Sequence, residues 1–378
     1  MNTFDFSIQG LFFIPFVFIA LLFIYFRSKF YWFDDFFSAF DETFDTFQKK
    51  LLLYGCTIFL ALVWGFIISS IVFPVSDVDE AMTGAIRSFF IYGINPYTNK
   101  VVPHILIFPT GTETLFGTYN YGPVDLCLYA IGYFMFSPFF GSPWWIYVTN
   151  IFLTVLIYLI IRTLVPAPET VKLLSFAFFF SWFLQDNVVL MCLFLALAWW
   201  THLKFDSKYK YPIVIILLTL GVLTKLYIAF VLIGYFVYIF KKDIKLWIIN
   251  GLIGGFTAVI VLLPFNIIDV IKSIFLFQVN ITLRENYATI QGGIPSYLNL
   301  LGLDWLFVPL AILLVLLFLI LSEKYAENQI ELKFAIFTII NLVLLPSSDY
   351  AFFIIPSFFI LVQYYKNHQS HNSKAIKT

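Results

Sequence analysis

The run Leu51–Phe73 contains no charged side chain, and neither does Leu246–Leu263. Stretches of about 18 or more apolar residues read as membrane spans, because only a helix can satisfy its own backbone polar groups inside hydrocarbon. Many segments of this kind follow one another along the 378 residues. The chain is 61% hydrophobic and 12% charged, against about 45–50% and about 25% in an ordinary soluble domain. A soluble enzyme of this size could not hide that much apolar surface, and disorder needs the opposite composition. Twenty-two basic residues balance 22 acidic ones, so nucleic acid is not an expected partner.

Lysine and arginine gather on the cytoplasmic side of membrane proteins. Here Arg27/Lys29/Lys49/Lys50, Arg162/Lys172, Lys204/Lys208/Lys210, Lys241/Lys242/Lys245, Lys324/Lys333 and Lys366/Lys374/Lys377 make 17 of the 22 basic residues. One topology puts all of them inside. Its spans are 9–26, 51–73, 143–164, 172–185, 188–203, 211–224, 226–240, 246–263, 303–322, 334–346 and 350–366. The fold expected is therefore all-α: a single polytopic membrane domain over 1–378 with about eleven transmembrane helices, N-terminus outside. Segment 1–50 supplies the first span and a cytoplasmic surface segment. The absence of Lys or Arg in Met1–Gln9 fits a cleaved signal peptide poorly.

Residues 172–203, 211–240 and 334–366 each hold about 30 positions between two basic clusters, where two full crossings need about 40. The tips of these hairpins should be recessed below the outer surface. They carry Gln185-Asp186-Asn187, Thr224-Lys225 and Ser347-Ser348-Asp349. Polar groups at such depth need water or a partner, which implies an outward-opening cavity. Two long outer segments, 74–142 and 264–302, would roof it.

The first outer segment begins with Asp77-Val78-Asp79-Glu80. On a helix from 79, Asp79, Thr83, Arg87 and Glu80 fall within about 100° of arc, with Met82, Ala85, Ile86 and Phe89 opposite. That predicts an interfacial helix with its charges turned to the cavity. Gly93-Ile94-Asn95-Pro96-Tyr97 and Tyr121-Gly122-Pro123 follow as turns. The three cysteines, Cys56, Cys127 and Cys192, match no metal spacing and read as small core residues. Trp144-Trp145 and Trp199-Trp200 at span ends suit an interfacial aromatic belt.

Together these motifs resemble the GT-C class of integral-membrane glycosyltransferases, which use polyprenyl-phosphate sugars as donors. The acidic cluster after an early span, the Gly-x-Asn-Pro-Tyr turn, the Tyr-x-Pro motif and Leu223-Thr224-Lys225 before a short span carry the likeness over 74–240. Tyr-Gly-Pro stands where many members have Tyr-Pro-Pro, and the insert Val101–Asn120 is longer than expected. The resemblance implies a helical membrane fold and transfer of a sugar to an acceptor hydroxyl on a lipid or glycan, at the outer face of the plasma membrane. It makes Asp79 the first choice for general base and Asp77 the fallback, with Glu80 binding sugar hydroxyls. Arg87, Lys225 and Arg284 become the cations for the departing phosphate, and Tyr97, Tyr121, Asp186 and Asn187 line the substrate site. No cofactor is required. Asp77, Asp79 and Asp186 offer hard oxygen ligands suited to a divalent metal, although many members of the class manage without one.

Two other classes fit the composition: a transporter or flippase of lipid-linked saccharide, and a non-catalytic subunit of an envelope-assembly complex. Transporters carry internal repeats and midplane charges. No repeat relates the two halves of this chain, and its polar groups favour one side.

Overall fold

Four buried polar residues in the apolar helices of this protein turn back on their own backbone. Thr149, Thr201 and Thr338 donate to the carbonyls of Trp145, Leu197 and Phe334, each at 2.8 Å, and Asn250 donates to that of Leu246 at 2.9 Å. Such i→i−4 bonds let hydroxyls and amides sit in an apolar helix without an orphaned donor. The computed structural model describes residues 77–108, 111–142, 144–164, 187–241, 243–276, 329–344 and 354–375, with scattered positions between 39 and 59 and between 304 and 316.

The described chain is mostly helical. Helix α1 (Asp77–Ile86) runs on into a π turn, Arg87–Ile91. A β-hairpin follows, β1 (Val102–Phe108) antiparallel to β2 (Gly111–Gly117), with Val102 opposite Gly117. Then come α2 (Pro123–Phe140), α3 (Trp144–Leu164), α4 (Val188–Lys204), α5 (Lys210–Val222) and α6 (Ile228–Gly234), the last extended by a π turn, Tyr235–Phe240. Helix α7 (Ile244–Leu262) leads to the short α8 (Ile267–Ile271), and α9 (Ile330–Leu344) and α10 (Ile354–Ala375) complete the bundle.

Helices α2, α3 and α7 are long and apolar enough to cross a membrane. The expected spans 143–164, 188–203, 211–224, 226–240 and 246–263 coincide with α3 to α7 to within a few residues at each end. Helix α5, with 13 residues, rises only about 20 Å, short of a hydrocarbon core of about 30 Å. The expected spans 9–26 and 172–185, most of 51–73, about half of 303–322, and the Ser347–Asp349 tip lie outside the described residues, as do residues 277–302 of the second outer segment.

One feature differs from the all-α expectation: the insert 101–120 holds the β-hairpin, an antiparallel piece among described residues that are otherwise helical. Residues 123–140, within the outer segment 74–142, form an 18-residue apolar helix, long enough to span. Its start is fixed by Gly122 at the N-cap and Pro123 in the first turn, and its end by Gly141 at φ 64°.

Two apolar cores hold the bundle. One lies between α4, α5, α6, α9 and α10, where Trp199 meets Phe334 and Phe359 at 4.9 and 4.8 Å between ring centres. The other joins α1, β1, α2 and the start of α3 through Met82, Tyr97, Tyr119, Tyr129 and Trp145. Helix α7 instead leaves Ile248, Leu252, Phe256, Val259 and Ile260 exposed, and Asn250 is its buried residue. A continuous apolar face of that kind suits lipid. Of the cysteines, Cys192 is buried as expected, whereas Cys56 and Cys127 are exposed.

Candidate functional site

Residues that the sequence scatters over more than 170 positions meet at one end of the bundle. Tyr97 begins in a side-chain turn: its N–H donates to Asn95 Oδ1 at 3.0 Å, while the Asn95 carbonyl accepts from Asn99 Nδ2 at 3.0 Å. The Tyr97 hydroxyl donates to the Tyr121 carbonyl at 2.9 Å. The Tyr97 ring meets Tyr119 at 5.5 Å and Phe265 at 5.3 Å, and Tyr119 meets Tyr121 at 5.5 Å. From the far side, Ser273 Oγ donates to the Tyr119 carbonyl at 2.6 Å and Thr98 Oγ1 to Asp269 Oδ2 at 3.0 Å.

The tip of the α5–α6 hairpin docks on the start of α2. The N–H groups of Gly122 and Val124 donate to the carbonyls of Thr224 and Leu223, at 3.1 and 3.2 Å. A Cβ on Gly122 would stand 1.8 Å from the Leu223 oxygen, so only glycine permits this approach. Lys225 follows at once, and its ammonium lies 4.9 Å from the centre of the Tyr121 ring, within cation–π range. The two motifs, Tyr-Gly-Pro and Leu-Thr-Lys, are thus joined through their backbones.

Beneath them lies a carboxylate that the sequence reading passed over. Asp125, in the first turn of α2, is 0% exposed and accepts from Asn187 Nδ2 at the start of α4. Burial first, and the negative Asp125 second, push the hydroxyls of Tyr97 and Tyr119 well above the usual tyrosine range. Both therefore stay protonated and act as donors. The signal for Asp125 was present: it is the sole charged residue between Glu113 and Arg162, and an isolated charge in apolar sequence is a functional candidate by default.

Asp79 sits elsewhere. It is 5% exposed, and Oδ2 accepts from the hydroxyl of Ser142, which is exposed just beyond the end of α2. Oδ1 is buried, and Thr83 Oγ1 and Trp145 Nε1 are the buried donors turned to the same carboxylate. Desolvation raises the Asp79 pKa above the ordinary aspartate value, opposed more weakly by Ser142, Trp145 and Thr83. Asp79 and Asp125 mark opposite ends of α2, whose 18 residues rise about 27 Å. Asn187 and Lys225 belong to the Asp125 end. A row of contacts runs between the ends: Tyr119 Oη donates to Met82 Sδ at 2.9 Å, one turn along α1 from Asp79.

The remaining candidates divide. Tyr121 is half-buried under Lys225, Tyr97 is buried, and Asn187 is fully buried against Asp125. Glu80 and Arg87 are exposed, and Arg87 donates to the Tyr92 hydroxyl at 3.4 Å. The expected polar face of α1 is therefore split, with Asp79 inside and Glu80 and Arg87 outside. Asp77 opens the helix, while Asp186 and Arg284 lie outside the described residues. Trp145 is buried beside Tyr133 at 5.3 Å instead of standing in a belt, and Trp199 is buried too. Around Asp79 stand the hydroxyls of Ser142 and Thr83 and the indole of Trp145. Among the described residues no three His, Cys, Asp or Glu gather.

At the opposite end of the bundle lie Lys204, Lys208, Lys210, Lys241, Lys245 and Lys333, at or beside the ends of α4, α5, α6, α7 and α9. There Lys366 pairs with the buried Glu331, and His202 shares a hydrogen bond of 2.8 Å with Tyr235 Oη. Compared with known proteins, the chain matches no family model, no curated protein and no solved structure.

Proposed function

We propose that this protein is an integral-membrane glycosyltransferase that moves a sugar from a polyprenyl-phosphate donor to an acceptor hydroxyl. One observation carries the reading. The segments whose order resembles the GT-C class, Asn95-Pro96-Tyr97, Tyr121-Gly122-Pro123, Asn187 and Leu223-Thr224-Lys225, are hydrogen-bonded or stacked together at the end of the bundle away from the basic clusters. By the charge rule that end faces outward.

In this reading the acceptor oxygen attacks the anomeric carbon of the sugar, and the carbon–oxygen bond to phosphate breaks. The electron pair stays on the phosphate oxygen, and the acceptor proton passes to a carboxylate. Lys225 offsets the charge on the leaving phosphate, where poor screening makes one ammonium count for more than it would in water. Its ammonium is seated on the Tyr121 ring. Asp79 takes the proton: its raised pKa makes it a stronger base than an ordinary carboxylate. Asp79 and the Lys225 site lie toward opposite ends of α2, so this reading requires that donor and acceptor binding bring both to the reacting bond.

The test uses purified protein in detergent with a polyprenyl-phosphate sugar and a saccharide acceptor. Release of polyprenyl phosphate in step with acceptor glycosylation is expected. Lys225→Ala should lower that rate by 10-fold or more, at roughly the scale of one preorganised charge contact. A wild-type protein that binds the donor yet neither transfers nor hydrolyses it would refute the enzyme.

A further inference from the structure

Asp125 belongs to none of the motifs that carry the proposed function, yet it lies where three of them join. The start of α2 is pinned on one side by the Leu223 and Thr224 carbonyls and on the other by Asn187, which donates its amide to the Asp125 carboxylate. Lys225 is the next residue after that docked tip, and its ammonium rests on Tyr121, the residue before Gly122. Tyr121 is held again through its carbonyl by the Tyr97 hydroxyl.

A buried carboxylate costs several kcal/mol unless it is bonded, so an apolar residue in the first turn of α2 would serve packing better. Helix capping does not demand it, since Gly122 and Pro123 already begin the helix. With 0% exposure the carboxylate cannot touch a substrate. What it can do is tie the start of α4 to the first turn of α2, the turn on which the hairpin tip docks through the Gly122 and Val124 N–H groups.

We propose that Asp125 is a positioning residue: with Asn187 it forms a buried clasp that sets where the Lys225 ammonium stands for the donor phosphate. This rests on the reading of Lys225 as the phosphate-holding cation. The clasp acts through three links: Asp125 to Asn187, Gly122 and Val124 to the 223–224 carbonyls, and Lys225 to Tyr121. Loss of the first leaves the other two, so the fold persists while the hairpin tip and its ammonium are held less firmly. The signature is weaker donor binding with a smaller fall in kcat than Lys225→Ala gives, at wild-type folded yield, which a purely structural role would not give.

The experiment measures donor KM and kcat, together with binding of undecaprenyl phosphate followed by tryptophan fluorescence, for five proteins in detergent. These are the wild type, Lys225→Ala, Asp125→Asn, Asn187→Asp and the double variant carrying both exchanges. Asp125→Asn should raise donor KM and the probe Kd about 10-fold, with kcat lowered by less than Lys225→Ala lowers it. Asn187→Asp, which sets two carboxylates face to face, should be worse in both. The double variant restores a complementary carboxylate–amide pair with its polarity reversed, and should recover most of the loss in folded yield and part of the loss in Kd. If the wild type and Lys225→Ala differ as expected while Asp125→Asn binds the probe like wild type, the clasp falls and the reading of Lys225 stands. If the wild type does not bind the probe, both fall. A double variant no better than Asn187→Asp in yield and Kd also overturns the clasp.

Discussion

At the scale of single residues, the two buried carboxylates make opposite demands. Asp79 has a raised pKa because burial disfavours its charge. The folded state then holds a proton that the unfolded chain has lost, in the pH window from the ordinary aspartate value up to the raised one. Stability therefore falls as pH rises through that window, whereas a base for sugar transfer must be ionised and gains activity over the same range. The acid limb of the kcat profile should accordingly lie above the pH at which an exposed aspartate titrates. Asp79→Asn should lower kcat by about 10²–10⁴-fold with little change in donor affinity, and should flatten the pH dependence of thermal stability. An Asp79→Asn variant with the wild-type turnover and pH profile would remove Asp79 from the mechanism. The sequence made Asp79 legible because it lies among other acids, and hid Asp125 because the apolar run after it draws attention away from one charge. Trp145 was misread for a geometric reason: neighbours on a helix point about 100° apart, so a Trp-Trp pair at a helix start sends one ring inward when the other faces out.

Among elements, the contacts that matter are close approaches of backbone, and these were partly legible. Gly122 stands in a quoted motif, but its reason appears only with the partner segment in place: the Leu223 carbonyl occupies the space of a side chain. Gly122→Ala should cost on the order of 3 kcal/mol through forced separation of α2 from the hairpin tip. Thermal unfolding in detergent would read that cost, and a melting point equal to wild type would mean the two segments are not docked. Helix α2 meets α3 by the same device. A Cβ on Gly132 would lie 2.2 Å from Thr149 Oγ1, and Tyr129 Oη donates to Asn150 Oδ1 at 2.6 Å nearby. Small residues that let helices close up are a common interface in membranes. Gly132→Leu should therefore destabilise the protein more than Leu128→Ala on the exposed side of the same helix, with relative melting temperatures as the measure. The spacing of glycines alone could not reveal which helix each one faces. The β-hairpin at 102–117 was hidden for a related reason: its pairing is local but its strands lack the clean two-residue alternation of a half-buried sheet.

For the whole molecule, charge distribution gave a sharper expectation than hydropathy. Hydropathy leaves α2 ambiguous, since an apolar helix of 18 residues can cross a membrane or lie within a folded outer layer. The basic clusters are less ambiguous, because Lys and Arg resist translocation wherever they fall in short loops. The segments assigned outside by that rule, Tyr97–Asp125, Asn187, Leu223–Lys225 and Asn266–Ser273, lie against one another. Lys204, Lys208, Lys210, Lys241, Lys245 and Lys333 fall at the other end of the bundle. A consistent two-ended molecule results, with Tyr97, Tyr119, Tyr121 and Asp125 at one end and these six lysines at the other. Single cysteines at Asn99 and Lys208, both exposed, provide the check, in a background with Cys56, Cys127 and Cys192 replaced. In intact cells an impermeant maleimide should label Asn99→Cys and leave Lys208→Cys unreacted until the membrane is opened. If both were labelled from outside, α4 and α5 would not be a hairpin returning to the cytoplasmic side. If only Lys208→Cys were labelled, the molecule would be inverted, and a donor phosphate held by Lys225 would have to be supplied from the cytoplasm.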